Sequence, residues 1–497
     1  MTAVVDSPAP VEASDAADAR RWLILAVLAL AQMMVVLDGT IVNIALPTAQ
    51  GALGFSNSDR QWVVTAYALA FGSLLLFGGR LSDLFGRRRM FLIGLVGFAG
   101  ASALGGAATS FGMLVTARAV QGASGALLAP VVLALLTTTF TDPADRGRAF
   151  GIYGAILGGG GAIGLLLGGV LTTYASWRWT LYVNPVIAVI AFIGGVVLLQ
   201  PSRSEHRPRL DLPGVVTVSV GLFALVYGFS RADTSGWRDP ITVGFLIGGV
   251  ALLAIFLTIE SRVSYPLLPL RVVRDRDRGG SYLAIFVAVA AMYGTFFFLT
   301  YYVQSTLSYS AVRSGLAYLP MIAALSLTAI VANARLLPRI GPRPLVPTGL
   351  VVAAVGMIIF TRLGAHSSYV THILPGLVVL GVGLGLAMSP STNTATVGVE
   401  PDDAGVASAM VNTSQQIAAS IGLSVLSTLA ASAVTTFVAS HPSSPTLAAQ
   451  AALHSYAVVF WWSAGILAAG AVATRLLFRP GAVAAAPDAD TRPALAA

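Results

Sequence analysis

The chain has 497 residues, of which 56% are hydrophobic and only 10% are charged. This composition excludes an ordinary soluble domain, in which about 25% of residues are charged, and the lack of cysteine excludes disulfides and thiolate metal sites. The formal net charge of +8 would suit either nucleic acid or a membrane surface, so the placement of the arginines must decide between them.

Apolar stretches of about 20 residues, the length that crosses a bilayer as a helix, recur along the chain with short polar breaks. The first stretch follows Arg20 and Arg21 but is long and has no small-residue cleavage site, so we interpret it as a retained helix and not as a signal peptide. Fourteen membrane helices are predicted, at residues 22–47, 60–79, 90–108, 112–136, 149–173, 180–200, 212–231, 240–260, 281–304, 314–334, 344–363, 373–392, 405–436 and 456–478.

An internal repeat organises these helices. The arginine-rich loop at 80–89 follows the second helix of one six-helix set, and Arg335, Arg339 and Arg343 follow the second helix of a later set. Two related six-helix halves around a central path are a common transporter plan, with the substrate site near the midplane. We therefore divide the chain into an N-terminal tail (1–21), a six-helix bundle (22–200), a two-helix insert with basic loops (201–280), a second six-helix bundle (281–478) and a C-terminal tail (479–497).

The distribution of arginine predicts the orientation. If the N-terminus is cytoplasmic, most of the 29 basic residues fall in cytoplasmic loops and tails. This is the positive-inside pattern of a multi-pass protein of a cell membrane, with both termini cytoplasmic. The basic charge is thereby explained without nucleic acid, and we expect none as a partner.

Asp38 is the acid that lies deepest in a predicted helix. An ionisable group at that depth is costly and usually functional. Burial disfavours the charged form of a carboxyl group, so such a residue can load and release a proton as its access to water alternates. The alternative is a carboxylate held in a structural pair with Arg118.

Arg118 shares one helical face with Gln121, Gly122 and Gly125. A buried arginine can favour the ionised form of a nearby acid and so set when its proton leaves, although simple charge neutralisation is the alternative. On the first helix Gln32, Gly39 and Asn43 share a face. Asp38 lies about 100 degrees round from Gly39, so we expect it to border the central path without pointing straight into it.

The loop GGRLSDLFGRRR at 78–89 places an acid among four arginines between two helices. These charges could form and break pairs as one bundle rocks against the other, or the loop could act only as a topology determinant. The candidate gating residues are Gly79, Arg80, Asp83, Gly86, Arg87 and Arg88.

Glycines are concentrated in the fifth helix. Gly160, Gly164 and Gly168 recur at four-residue spacing, and Gly169 follows them. Small residues at this spacing let two helices approach closely, which suits static packing and a sliding gate equally.

The second half contributes an aromatic and amide face. Such a surface would suit bulky, weakly polar or cationic molecules, although an aromatic stripe also serves as ordinary packing. The candidate substrate-lining residues in the whole chain are Gln32, Asn43, Gln121, Tyr293, Phe297, Tyr301, Gln304, Asn412, Gln415 and Gln416.

No catalytic constellation is present in the sequence. It lacks the phosphate-binding, nucleophile-elbow and zinc-protease motifs, and its five histidines show no metal-ligand spacing. We therefore expect no enzymatic activity, no metal and no cofactor. The energy for transport would come from an ion gradient.

The motifs together resemble those of the major facilitator superfamily, and specifically the fourteen-helix drug:proton antiporters of the quaternary-ammonium and multidrug resistance type. LDGTIVNIALP at 37–47 is similar to the first-helix signature of that subfamily, GGRLSDLFGRRR to the loop motif of the superfamily, and Arg118, Gln121 and Gly122 to the fourth-helix pattern. The resemblance implies a role for Arg118 in proton transfer. One position departs from it: Gly164 is followed by Leu165 where the antiporter motif has proline.

The resemblance implies a major facilitator fold and a proton-coupled exporter of hydrophobic or cationic drugs that works by alternating access. Its expected partners are the drug, protons and the lipid bilayer of a bacterial inner membrane, and the expected functional unit is a monomer. Two alternatives remain open at this point. The chain could transport one dedicated metabolite or self-made antibiotic, or it could be a non-transporting membrane scaffold or sensor.

Overall fold

Helices are the only regular elements in the residues that the computed structural model describes, which are 11–56, 59–140, 142–200, 211–263, 266–268, 270–396 and 404–480. The first eight helices are α1 Val11–Leu53, α2 Trp62–Phe85, α3 Arg87–Gly106, α4 Phe111–Thr139, α5 Pro143–Tyr174, α6 Trp179–Leu198, α7 Leu212–Ser235 and α8 Pro240–Glu260. The others are α9 Leu270–Arg274, α10 Arg276–Tyr301, α11 Ala311–Ala317, α12 Leu319–Val331, α13 Leu337–Ile340, α14 Pro342–Phe360, α15 Leu374–Thr396, α16 Ala404–Ser440 and α17 Leu447–Leu477.

Twelve helical stretches within the described residues are long and apolar enough to cross a membrane. Three of them combine helices with π-helical turns, over Arg276–Thr306, Ala311–Ile340 and Tyr369–Thr396. The sequence predicted fourteen spans, and the two that do not qualify are α2 and α5, whose apolar stretches are Trp62–Leu75 and Gly160–Tyr174. The chain is thus an all-helical, multi-pass membrane protein with twelve candidate spans.

Two glycines mark equivalent turns in the repeat. Gly86, with φ 91°, separates α2 from α3, and Gly341, with φ 71°, separates α13 from α14. A positive φ is a conformation that favours glycine, so each turn reverses the chain between two helices without an intervening loop. Residues 78–89, which the sequence analysis placed in a loop, therefore lie in α2 up to Phe85 and in α3 from Arg87. We keep the name 78–89 loop for this segment, and we call the end of the molecule that carries Gly86 the motif end.

Helices α1 to α6 pack mainly among themselves: α1 lies against α5 and α6, α2 against α4, and α3 against α4 and α6. Helix α10 packs against α15, α16 and α17, while α14 packs against α15 and α17. The two sets meet where α2 lies against α16 and α5 against α11. Helices α7 and α8 pair with each other, and α7 also lies against α2 and α16, so the inserted pair contacts both sets.

Large apolar side chains also cover outward faces of the helices. On α6, Val189, Ile190 and Ile193 are all more than half exposed, as are Ile247 and Val250 on α8. A soluble protein rarely exposes such continuous apolar faces, and here lipid is their natural solvent.

Candidate functional site

A fully buried carboxylate lies between four helices of the first set. Asp38 on α1 accepts a hydrogen bond from Arg118 Nη1 of α4 at Oδ2 (2.6 Å). Its other oxygen, Oδ1, accepts from Gln121 Nε2 of α4 (2.6 Å) and from Asn184 Nδ2 of α6 (2.8 Å). Ser102 Oγ of α3 accepts from the same two amides, at 2.6 and 3.1 Å. We call these five residues the Asp38 cluster.

Arg118 is held on every side. Its Nε donates to the carbonyl oxygen of Val63 on α2 (3.0 Å), and its Nη1 also donates to Gln121 Oε1 (2.7 Å). The guanidinium carbon lies 4.4 Å from the centre of the Tyr67 ring, close enough for a cation–π contact. The arginine is only 1% exposed, so its orientation is determined by α1, α2 and α4 together.

The cluster provides hydrogen bonds to both oxygens of the Asp38 carboxyl group. Three donors face the carboxylate and no water reaches it, because its exposed fraction is 0%. Charge-assisted hydrogen bonds of this kind are strong in a medium of low dielectric constant. Access of water to Asp38 would require the contact with Arg118 to loosen. The structural pairing with Arg118 and a role in proton transfer are thus compatible with each other.

Asp38 and Gly39 face different parts of the molecule, as their angular separation on α1 suggested. Asp38 points into the first set, towards α3, α4 and α6. A Cβ added to Gly39 would lie 3.7 Å from the hydroxyl of Tyr293 on α10. The carboxylate thus faces the first set, whereas the neighbouring Gly39 faces Tyr293 of the second set.

The arginines of the 78–89 loop bind backbone carbonyls. Arg87 Nη1 donates to Ala134 O near the end of α4 (3.3 Å), and Arg88 Nη2 donates to Val196 O near the end of α6 (2.8 Å). Cationic side chains satisfy the free carbonyl groups and the negative dipole at helix C-termini. The loop thereby ties together the motif ends of the first set.

Arg80 makes a longer connection. Its Nη2 donates to Pro266 O (3.0 Å), in the segment that follows α8. Gly79 beside it packs against Pro130 of α4, with 3.6 Å from an added Cβ to the proline Cβ. The side chain of Asp83, which the sequence analysis also included, lies outside the described residues.

The glycines of α5 form its contact surface with α1. A Cβ added to Gly164 would overlap the Thr40 hydroxyl, and one added to Gly168 would lie 2.8 Å from Ile41 O. Gly160 likewise packs against the side chain of Val36, at 2.9 Å. The predicted close approach therefore exists, and the backbones of the two helices touch.

Gly169 performs a different task from the other three glycines. A Cβ added there would lie 2.8 Å from Ala311 O of α11, in the second set. Conversely, a Cβ added to Gly315 of α11 would lie 2.5 Å from Leu165 O of α5. The two sets thus meet backbone to backbone at the end opposite the motif end, along a line that we call the glycine seam.

The aromatic candidates on α10 contribute to this junction. Tyr301 donates a hydrogen bond from its hydroxyl to Gln50 Oε1 of α1 (2.8 Å), and Gln304 Nε2 donates to Ile44 O of α1 (3.1 Å). The guanidinium of Arg60 lies 3.9 Å from the ring centre of Tyr301 and 5.1 Å from that of Phe297. In this conformation these residues pack the two sets together.

The remaining amide candidates lie on α1 and α16. Gln32 on α1 is buried, and the described residues give its side-chain oxygen no hydrogen-bond partner; the same holds for Gln416 Oε1 on α16. Asn43 Nδ2 donates to Gly39 O one turn earlier on α1 (3.1 Å). Asn412 and Gln415 are half-buried on α16. Among these amides, Gln32 and Gln416 therefore each have a side-chain oxygen that could accept a hydrogen bond from a substrate.

Sequence reasoning missed Ser102, Asn184 and Tyr67. Asn184 gave a readable signal, since it is an amide inside an otherwise apolar helix and precedes Pro185. Ser102 gave none, because serine is common in membrane helices and only the approach of α3 to α4 brings it to the cluster.

The helices, the buried ion pair and the internal repeat define the class of protein, which is a secondary transporter and not an enzyme. The family model described as the Major Facilitator Superfamily matches residues 28–423, and the chain belongs to that superfamily.

Relatives and solved structures agree. The chain is 47% identical to the puromycin resistance protein pur8 of Streptomyces alboniger, over 94% of this chain and 93% of that protein. It is 39% identical to the cephamycin export protein CmcT of Amycolatopsis lactamdurans, over 87% and 89% of the two chains. The nucleoside transporter NupG superposes with a TM-score of 0.64 at 10% identity, covering 93% of this chain and 100% of that one. A bacterial homologue of the lysosomal transporter Spinster, in an inward-facing and unoccupied conformation, also gives 0.64, at 15% identity, covering 92% and 97%.

Proposed function

We propose that the chain exports antibiotics or other hydrophobic or cationic small molecules in exchange for protons. The Asp38 cluster is the observation that carries the coupling, because it is a buried carboxylate whose charge depends on a single arginine and two amides. The names of the relatives support the cargo, since they describe resistance to puromycin and export of cephamycin.

The proposed coupling starts from the ionised cluster. When water reaches Asp38, protonation removes the charge that holds Arg118, and the Arg118 contact with α1 weakens. Helix α1 then moves against α4 and α6, which alters its contacts with α5 and α10. Drug binding between Gln32 and Gln416 favours the orientation in which Asp38 loses its proton. Exchange follows because proton and drug each favour a different orientation.

The wider architecture is part of the proposal. Helices α2 and α5 contain 24 and 32 residues, enough to cross a bilayer, and counting them gives fourteen spans. That count suits the fourteen-helix drug:proton antiporters of the quaternary-ammonium and multidrug resistance type. We assign residues 22–200 and 281–478 to the two bundles and 201–280 to the insert. The motif end and both termini face the cytoplasm of a bacterial cell, and one chain suffices for transport.

The loop and the glycine seam are the proposed gates. The arginines of the loop hold the motif end of the first set, and the seam between α5 and α11 closes the opposite end. Opening one end while the other stays closed is the requirement of alternating access. The seam is closed in this structure, so a substrate path would lead to the motif end.

Transport in inverted membrane vesicles tests the proposal. An imposed pH gradient should drive uptake of puromycin or of a fluorescent lipophilic cation by the wild-type protein, and Asp38→Asn should abolish that uptake. Asp239→Asn is the matched control, because Asp239 is an acid on the insert that caps α8 far from the cluster. Gradient-driven uptake that persists in Asp38→Asn would refute the role of Asp38. Absence of uptake of both compounds by the wild type would refute broad export.

A transporter dedicated to one antibiotic is the second candidate. It is favoured because several relatives bear the name of a single compound, such as tetracenomycin C. Competition would separate the two: a dedicated exporter would take up one radiolabelled antibiotic and be inhibited only by close analogues. A broad exporter would be inhibited by unrelated lipophilic cations.

A further inference from the structure

Two buried carboxyl groups face each other on the insert, far along the chain from Asp38. Asp211 precedes α7 and is 9% exposed, and Glu260 ends α8 and is 4% exposed. One oxygen of each is accounted for: Asp211 Oδ1 accepts from Gly214 N (3.0 Å), and Glu260 Oε2 accepts from Leu268 N (2.9 Å).

The other two oxygens converge on one small space. Asp211 Oδ2 and Glu260 Oε1 receive no hydrogen bond from other described residues. The two carboxyl groups are close enough to interact electrostatically with each other. A Cβ added to Gly214 would overlap the Asp211 oxygen and lie 2.8 Å from the Glu260 oxygen. The glycine therefore leaves the room in which the two acceptors meet.

Two acceptors that face each other need a cation between them. Two buried carboxylates at this proximity cannot both stay ionised without one, because their repulsion adds to the loss of hydration. A metal ion such as Ca²⁺ takes six to eight oxygen ligands, whereas the two carboxyl groups leave two oxygens without a hydrogen-bond partner among the described residues. No group of three or more metal-ligating side chains was found in the described part of the chain. A single proton shared by the two oxygens satisfies both.

The basic groups nearby lie on the elements that pack around the pair. The apolar cluster that contains Leu267 and Leu268 also includes residues of α2, α7, α8, α9 and α16. Within the described chain these elements carry few charges beyond the pair at this end, and α16 has none over 404–440. The charged residues with described side chains are Arg80 on α2, Arg262 after α8, and Arg271 and Arg274 on α9; Asp83 is also on α2, with its side chain outside the described residues.

We propose that Asp211 and Glu260 form a proton-binding site of the insert, in which one proton is shared between Asp211 Oδ2 and Glu260 Oε1. The site is connected to the 78–89 loop through one short segment. Glu260 holds Leu268 N, and Arg80 holds Pro266 O two residues earlier. Loss of the proton drives the carboxylates apart and displaces the segment that Arg80 binds. The insert thereby senses proton occupancy at the motif end, independently of Asp38.

Infrared spectroscopy of the purified full-length protein tests the shared proton directly. A protonated carboxyl group has a C=O stretching band that an ionised one lacks. We expect such a band at neutral pH in the wild type and in Asp38→Asn, and its loss in Glu260→Gln. A spectrum of Asp38→Asn without the band would overturn the site even if neither insert variant could be purified. Because Asp38 is absent from that protein, this result is distinguishable from failure of the proposed coupling.

Thermal unfolding as a function of pH provides the second readout. The wild-type Tm should fall as rising pH removes the shared proton. The fall should be absent in Glu260→Gln and in Asp211→Asn, because in each variant the remaining carboxylate faces a neutral amide. Asp239→Asn, at the other end of α8, should keep it. Identical pH profiles in all four proteins would contradict the proposal. If NaCl or CaCl₂ raised the Tm of the wild type but not that of Glu260→Gln, the site would bind a metal ion and the proposal of a shared proton would be wrong.

Discussion

Replacement of Asp38 by asparagine should destabilise the protein because it leaves Arg118 buried without a counter-charge. The guanidinium is 1% exposed and would keep only Val63 O, Gln121 Oε1 and the Tyr67 ring as partners. Removing one member of a buried ion pair costs about 3–5 kcal/mol. The new amide also cannot present oxygen to all three former donors, so one donor would face its NH₂ group.

The rescue by a second substitution makes the reasoning refutable. Asp38→Asn/Arg118→Gln removes both charges, so it should be more stable than Asp38→Asn alone although it carries one more change. Gradient-driven transport should stay absent in both proteins. Reversible unfolding in a titration with denaturing detergent would measure the free energies of the wild type, the two single variants and the double variant. Losses that simply add in the double variant would show that Asp38 and Arg118 are not electrostatically coupled.

Three further predictions concern two contacts between helices and the cap of α8. Gly164→Ala should lower the free energy of unfolding by about 1–3 kcal/mol, because its Cβ would overlap α1. Gly161→Ala is the control: its added Cβ would lie 3.8 Å from the nearest atom of α1, so it should be nearly neutral in the same detergent titration. The backbone N–H of Thr242 and then the Arg231 side chain hold the pKa of Asp239 below its usual value. The stability that this carboxylate contributes is therefore present above its pKa in the unfolded state and is lost as pH falls through its pKa in the folded state. In Asp239→Ala the Tm should fall less than in the wild type as the pH is lowered. A Cβ added to Gly169 would lie 2.8 Å from Ala311 O, so Gly169→Leu should keep the glycine seam from closing and should stop gradient-driven uptake in vesicles. Gly161→Ala, whose added Cβ lies against α1 and not α11, should transport normally. Normal uptake by Gly169→Leu would contradict the seam as a gate.

The local rules of membrane helices made most of the fold predictable. Long apolar stretches located the helices, and the repeat of arginine-rich loops anticipated the paired turns at Gly86 and Gly341. The count of fourteen spans went further than the twelve that qualify among the described residues. Helices α2 and α5 fall short in the length of their apolar stretches, Trp62–Leu75 and Gly160–Tyr174, although the helices themselves contain 24 and 32 residues.

The candidate site was predictable only in part. Asp38 and Arg118 stood out because charges are rare within apolar stretches, and the structure places them in contact. The aromatic residues Phe297 and Tyr301 were predicted to line a substrate path, but here they pack under Arg60. Period and polarity show which residues share a helix face, but they do not show which helix that face meets.

The burial of Glu260 was also not predictable from the sequence. Nothing in the sequence around Glu260 distinguishes it from any other acid at a helix end. Its burial depends on Leu267 and Leu268, which fold back over the end of α8 from beyond it. A tertiary contact of this kind leaves no periodic signal.

The glycine seam has a consequence for the leak of small ions. Because Gly169 and Gly315 contribute no side chains, α5 and α11 meet along main-chain atoms that have a single conformation available to them. A barrier of this kind reseals by rigid-body motion alone, without a search among rotamers. For the gate proposed here, we therefore expect the same tightness against protons after every cycle, whatever molecule has passed through it.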